Sequence, residues 1–346
     1  MSEFLTRLLA HPGGNARQRK RAAIALVILA AAILLLLILK FDAVCAAFAE
    51  MGAYLKYKFI RRALLVGTLV SLCAALLGVT LVLKRYSMIG DGLSHVGFGA
   101  LSIAAALGFV TADALPSVLP AGLRGWIASV CDSIAASPLP FTLVVVIALA
   151  FLILRLSGSS RIHGDAAIAL LSTGALAVGV LATSLTSGMN VDVMNYMFGS
   201  ILAMSGADVA VSIALSVIVL ALFALFYNRI FAVTFDETFA RATGTKTGLF
   251  NMLIAVLTAV TIVVGMRMMG TMLISSLIIF PALTSMRVFS RFRAVLISSA
   301  AVSVCCFVAG IMLSCLYSIP AGAGIVLVDL AMFCVFGLIG RMRRLS

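Results

Sequence analysis

Hydrophobic residues make up 63% of the 346 in this chain and charged residues 11%, against roughly 45–50% and 25% in soluble domains. No water-soluble fold hides that much apolar surface. The formal net charge of +13 does not point to nucleic acid, because the basic residues lie in short clusters between apolar runs and no aromatics are interleaved with them as a stacking platform requires.

In chain order, the first element is a basic stretch, RQRKR at 17–21, followed by an apolar run at 22–39. This resembles a signal peptide, and AFA at 47–49 resembles a cleavage site. The run is nevertheless longer than the usual ~7–15-residue apolar region of such peptides, and Lys40 and Asp42 follow it. It reads as an uncleaved first span. Further spans are expected at 62–83, 93–110, 139–154, 166–187, 209–227, 248–265, 270–286, 294–314 and 323–340. Each run approaches the ~20 apolar residues that carry a helix across a bilayer. None alternates with period two, which argues against a barrel. The expected fold is an all-α polytopic membrane protein of about ten transmembrane helices. Residues 1–61 form a basic tail, an extra span and a linker; 62–340 form one membrane domain; 341–346 form a basic tail.

Lys and Arg set the orientation. Lys84 and Arg85, then Arg155 and Arg161, then Arg229, Arg241 and Lys246, then Arg287, Arg291 and Arg293 all follow even-numbered spans, so these loops are assigned to the cytoplasm. The opposite loops are poorer in Lys and Arg: 111–138 holds only Arg124 of these. Lys56, Lys58, Arg61 and Arg62 conflict with this rule, since they precede the second span and fall outside. A segment 43–61 lying along the interface would reconcile them. The seven cysteines (Cys45, Cys73, Cys131, Cys305, Cys306, Cys315 and Cys334) have no CxxC or Cys/His spacing, so they read as small packing residues rather than metal ligands.

The largest soluble piece lies around 228–248. There Thr234 and Glu237 have the spacing of a capping box, Asp236 adds negative charge at the helix start, and Gly244 suits a left-handed end. A short helix of about 235–243 is expected, exposing Phe235, Phe239 and Ala240. It reads either as an ordinary capped connector or as a coupling helix that docks into a cytoplasmic partner. The chain holds no G-x-x-x-x-G-K-[ST] phosphate loop, since GTKT at 244–247 lacks the first glycine and a preceding strand.

Five stretches in order carry a resemblance: 61–99, containing MIGDGLSHVGFG; VDVMNYMFGSIL at 191–202; DETFARATGTKTG at 236–248; MGTMLISSLIIFPA at 269–282; and YSIPAGAGIVL at 317–327. With these the chain resembles the integral membrane permease subunit of the ABC-type divalent-metal importers, the zinc, manganese and iron permease family. The resemblance implies a homodimer of this subunit in a bacterial plasma membrane, a separate cytoplasmic ATPase, and an extracytoplasmic metal-binding protein. It also implies a nine-helix core, to which the span at 22–39 is an addition. No cofactor is expected on the chain itself, and the metal is cargo.

Asp91 and His95 stand four residues apart among Gly90, Gly92, Gly97 and Gly99. On a helix their Cβ atoms are roughly 5–6 Å apart, and a carboxylate with an imidazole suits Zn(II), Mn(II) or Fe(II). Two such pairs near a dimer axis would supply four ligands to a passing ion. The bland alternative is a helix cap and an interhelical donor. Weaker path candidates are Asp165, with the adjacent His163, and Asp192. Asp329, within the last apolar run, is either functional or paired with a neighbouring helix. The rival function, a proton-coupled secondary transporter of a small cation, needs a chain of intramembrane carboxylates, to which Asp329 contributes only one. A membrane hydrolase is poorly served by His11, His95 and His163, which lie far apart in the chain.

Overall fold

The computed structural model of the protein describes residues 56–86, 88–107, 120–157, 164–185, 206–317 and 319–342. These form twelve helices: α1 (Lys58–Leu83), α2 (Ile89–Leu107), α3 (Ala121–Ala136), α4 (Pro138–Ser157), α5 (Gly164–Leu185), α6 (Gly206–Leu225), α7 (Tyr227–Phe235), α8 (Glu237–Ala242), α9 (Thr247–Met269), α10 (Thr271–Met286), α11 (Phe292–Tyr317) and α12 (Ala321–Met342). No strand occurs among the described residues. In lipid every backbone N–H and C=O must be satisfied within its own segment, and the helix does this.

Six of these, α1, α5, α6, α9, α11 and α12, are long and apolar enough to cross a membrane. α3 and α4 are long and apolar enough only when taken together, and they are bent by 90° at their junction, the geometry of a broken span or of a re-entrant segment. That bend amends the sequence reading of 111–138 as plain loop: its second half is the 16-residue α3. The expected span at 93–110 is the 19-residue α2, which carries Asp91 and His95. The one at 270–286 is α10, only 16 residues long. The expected first span at 22–39 lies outside the described residues. The idea that 43–61 runs along the interface is corrected for its last residues, because Lys58 through Arg61 already belong to α1.

The turn between α9 and α10 is made by Gly270, buried and at φ +86°. A side chain there would be strained, which is why the break falls at a glycine.

At the centre of the bundle stands α1, packed against α6, α9, α10 and α11. Its polar groups are used inside the core. Ser303 Oγ on α11 donates to the Ser71 carbonyl at 3.0 Å, and Ser299 Oγ to that of Ala75 at 3.4 Å. Other buried hydroxyls, such as Thr80 and Thr258, donate back to carbonyls of their own helix, the usual refuge of a hydroxyl in an apolar setting. Close approach does the rest. A Cβ on Gly78 would overlap the Ile278 carbonyl of α10, and one on Gly99 of α2 would overlap the Ala175 carbonyl of α5.

The contacts also place the helix ends. Lys84 after α1 reaches Asn251 on α9, Phe292 of α11 stacks with Phe231 of α7, and Gly340 of α12 meets the Arg287 backbone. One end of the bundle therefore gathers Lys84, Arg229, Arg241, Lys246, Arg287 and Arg341. By the positive-inside rule that end is cytoplasmic. The same rule is broken at the other end, where Lys56, Lys58, Arg61 and Arg62 are all exposed.

A methyl group added at Gly78 has nowhere to go, whereas none of the surrounding atoms lies within 4 Å of one added at Gly174. Gly78→Ala is expected to destabilise the purified protein by about 1–3 kcal/mol through overpacking, and Gly174→Ala to leave it unchanged or slightly firmer. Thermal unfolding of both variants in the same detergent checks this. Equal midpoints would contradict the packing described here.

Candidate functional site

Two groups of polar side chains interrupt the apolar bundle. The first is on α2. Its opening turns carry Asp91 and His95, with His95 Nε2 3.6 Å from Asp91 Oδ2 and the two side chains 29% and 51% exposed respectively. One turn of helix brings them together, as the spacing requires. Ser275 of α10 faces the Asp91 carboxylate, and Ser94 Oγ lies 3.3 Å from Ser275 Oγ. The glycines around the pair set its surroundings: Gly92 lies against Ile168 of α5, and Gly97 against the Met266 thioether of α9. Because α2 begins at the cytoplasmic end, the pair sits within about two turns of that end.

A carboxylate and an imidazole this close can turn lone pairs toward one cation. Among the described residues, however, no group of three or more His, Cys, Asp or Glu side chains stands close enough to hold a metal. Two ligands and open coordination positions suit a passing ion better than a resident one.

Three other acidic candidates remain, Asp165, Asp192 and Asp329. Asp165 falls in the first turn of α5, while His163 and Asp192 lie outside the described residues. Asp329 of α12 is 1% exposed. Among the described residues neither carboxylate oxygen meets an N–H or O–H donor, and the group beside it is the Cys306 thiol of α11. It does not join Asp91 and His95.

The second group is at the cytoplasmic end. The expected capping box is not formed. Asp236 is the N-cap instead, its Oδ1 accepting from the Phe239 N–H at 2.9 Å, and Thr234 Oγ1 donates to the Ile230 carbonyl. Thr234 is still inside α7, so its hydroxyl has a carbonyl of its own helix to serve. The helix is correspondingly shorter than 235–243, running from Glu237 to Ala242. Its end is as expected: Gly244 stands at φ +82°. The Gly244 N–H donates to the Arg241 carbonyl and the Thr245 N–H to that of Ala240, the paired bonds of a Schellman end.

Of the three residues expected on its surface, Phe239 is 65% exposed and Phe235 57%. Ala240 is the exception at 1%. Phe235 is tied to the rings of Phe231 and Phe292, with centroids 4.9 and 5.7 Å away. Among the described residues Phe239 has no ring partner and stands out from the surface.

Released from the capping box, the Glu237 carboxylate becomes a junction. It accepts from Asn251 of α9 at 3.2 Å and Arg241 of α8 at 3.4 Å, and lies 4.0 Å from Lys84 Nζ after α1. Lys84 in turn donates to Asn251 Oδ1. The short helix is thus fastened to two membrane helices, α1 and α9, by one carboxylate. Burial pulls the Lys84 ammonium below its ordinary lysine value while Glu237 opposes the fall. Burial and the same carboxylate push the Tyr86 phenol up.

One ion pair escaped the sequence reading. Arg267 Nη2 of α9 lies 3.0 Å from Asp208 Oδ1 of α6. The arginine is in the last turn of its helix and the aspartate in the first turn of its own, so each charge meets the helix-dipole end that favours it. The signal was present in the sequence as two charges flanking apolar runs, but nothing there paired them.

The model of the ABC 3 transport family matches residues 56–340. The chain is 28% identical over 283 residues to the manganese transport system membrane protein MntC of Halalkalibacterium halodurans, covering 81% of this chain and 87% of that one. It is 27% identical over 278 residues to the high-affinity zinc uptake system membrane protein ZnuB of Haemophilus influenzae, covering 80% and 96%. Among solved structures, PsaBC from Streptococcus pneumoniae in complex with Fab shares the fold. Its TM-score is 0.69 at 24% identity, over 86% of this chain and 99% of that one.

Replacing Glu237 with Gln removes the charge that holds up the Lys84 proton affinity. With a folded-state value below the ordinary 10.5, Lys84 binds fewer protons folded than unfolded, so stability rises with pH through the window just below 10.5. In Glu237→Gln that window is expected to widen toward lower pH. Melting temperature measured against alkaline pH for parent and variant tests it; superimposable profiles would rule out the junction.

Proposed function

Because the chain belongs to the ABC 3 transport family, we propose that it is the membrane-spanning permease subunit of an ATP-driven importer of a divalent transition-metal ion, manganese, zinc or iron. In support, the family match spans the described membrane domain, and relatives named for manganese and zinc transport align over four-fifths of the chain. The Asp91–His95 pair is the observation that carries the metal reading: a borderline-hard ligand set, partly exposed, in a chain that otherwise places almost no charge inside its helices.

On this reading an extracytoplasmic metal-binding protein delivers the ion to a homodimer of the chain. A cytoplasmic ATPase supplies the work, since this chain has no phosphate loop of its own. Asp91 and His95 of the two copies bind the ion transiently near the cytoplasmic end, with water or the second copy completing its shell. Phe239 inserts into a groove of the ATPase. The Glu237 junction passes the displacement of α8 to α1 and α9, the helices it ties together.

Radioactive manganese, zinc and iron uptake by cells lacking and regaining this chain tests the function. Asp91→Asn with His95→Gln keeps size and hydrogen bonding but removes the ligand chemistry. Uptake is expected to fall roughly tenfold or more, to an extent that depends on the metal, with the assembled complex still recovered. Uptake of all three metals equal to the parent's would reject the path assignment.

Phe239→Asp puts a charge where an apolar anchor is needed. It is expected to abolish co-purification of the ATPase and uptake together, while the membrane domain keeps its melting temperature. A variant that still pulls down its ATPase and transports would leave α8 as a mere connector.

A further inference from the structure

The basic start of α1 is left over from everything above. Lys56, Lys58, Arg61 and Arg62 are exposed at the end of the bundle opposite the other cationic loops. Two physical effects act against them there. The positive-inside rule disfavours them on that side, and the positive end of the helix dipole disfavours cations in a first turn. No ion pair among the described residues relieves them. Among the described residues nothing balances this cluster, so it offers its positive charge to an anion at that end of the bundle.

The neighbourhood shows what kind. Tyr57 and Phe59 are 55% and 44% exposed, with ring centroids 5.6 Å apart, and aromatics of this kind sit at the headgroup level of a membrane. Residues 58, 61, 62 and 65 lie on one face of the helix by the i, i+3, i+4, i+7 rule. On that face the cations give way directly to Leu65, 48% exposed, while Ile60, Ala63 and Val66 point into the bundle. The charged stripe therefore heads an apolar stripe that faces acyl chains. Arg62 also leans to the start of α6, its Nη2 3.7 Å from where a Cβ on Gly206 would stand, so small residues leave room beside the guanidinium.

We infer that the start of α1 is a binding site for an anionic phospholipid of the extracytoplasmic leaflet. Lys58, Arg61 and Arg62 hold the headgroup phosphate, Tyr57 and Phe59 sit at the ester level, and an acyl chain runs along Leu65. An acidic partner protein would neutralise the same charges, but it gives no reason for the continuous apolar stripe beneath them. This site is independent of which metal, if any, the chain moves.

The purified full chain is titrated in detergent with dioleoyl phosphatidylglycerol, dioleoyl phosphatidylcholine and soluble glycerol 3-phosphate. Bound lipid is read by native mass spectrometry and stability by melting temperature. The parent is expected to retain phosphatidylglycerol several-fold over phosphatidylcholine and to melt higher with it. The triple variant Lys58→Gln/Arg61→Gln/Arg62→Gln is expected to lose that preference, and glycerol phosphate alone to shift nothing. If the triple variant does not fold, Lys58→Gln and Arg61→Gln are read singly, each expected to lower phosphatidylglycerol retention. Equal retention of the two lipids by the parent overturns the proposal and leaves an acidic protein as the occupant. A glycerol phosphate response as large as the lipid's overturns it in favour of a free phosphate ester, and retention unchanged in the variants overturns the assignment to these residues.

Discussion

Backbone-to-backbone approach at small residues is what the architecture depends on. Lipid tails are as apolar as leucine, so helices in a bilayer gain little by hiding leucine from them. Dispersion contacts and interhelical hydrogen bonds must supply the association. At Gly78 against Ile278, and at Gly99 against Ala175, the chain brings backbones close enough that even one carbon more would collide. These two contacts seat α1 against α10 and α2 against α5. The position of Asp91 and His95 follows, since α2 carries both. The glycines around that pair matter as much as the pair itself: they decide which helices α2 meets.

Charge inside such a bundle is expensive, and the chain spends it sparingly. Asp208 and Arg267 neutralise each other at helix ends whose dipoles suit them. Lys84 is nearly buried but held by Glu237 and Asn251. Asp329 is the exception, buried beside the Cys306 thiol with no N–H or O–H donor among the described residues. Among those residues nothing connects it to Asp91 and His95.

The cytoplasmic junction shows how a small loop is made rigid. α8 has only six residues, too few to persist as a helix in isolation. An aspartate cap at one end, a glycine in the left-handed region at the other, and one carboxylate shared by Lys84, Asn251 and Arg241 hold it in place. Phe239 is displayed on this fastened base rather than on a floppy loop. A force applied to the ring has a direct route to α1 and α9.

By itself the sequence determined the all-helical membrane class, the approximate place of most described helices, and the family. These depend on composition, on runs of about twenty apolar residues and on motifs contiguous in the chain, all of which are local. Asp91 and His95 were legible as a pair for the same reason, since a helix alone brings i and i+4 together. The tertiary structure decided what depends on distant residues meeting. It set α3 at 90° to α4 across Ser137, paired Asp208 with Arg267, and buried Ala240. It moved the cap from Thr234 to Asp236, because α7 runs on far enough to give the threonine hydroxyl a carbonyl of its own. That freed Glu237 for Lys84, 153 positions earlier by number and 4.0 Å away in space. No periodicity along a chain encodes such a distance; only the packing of one helix against another sets it.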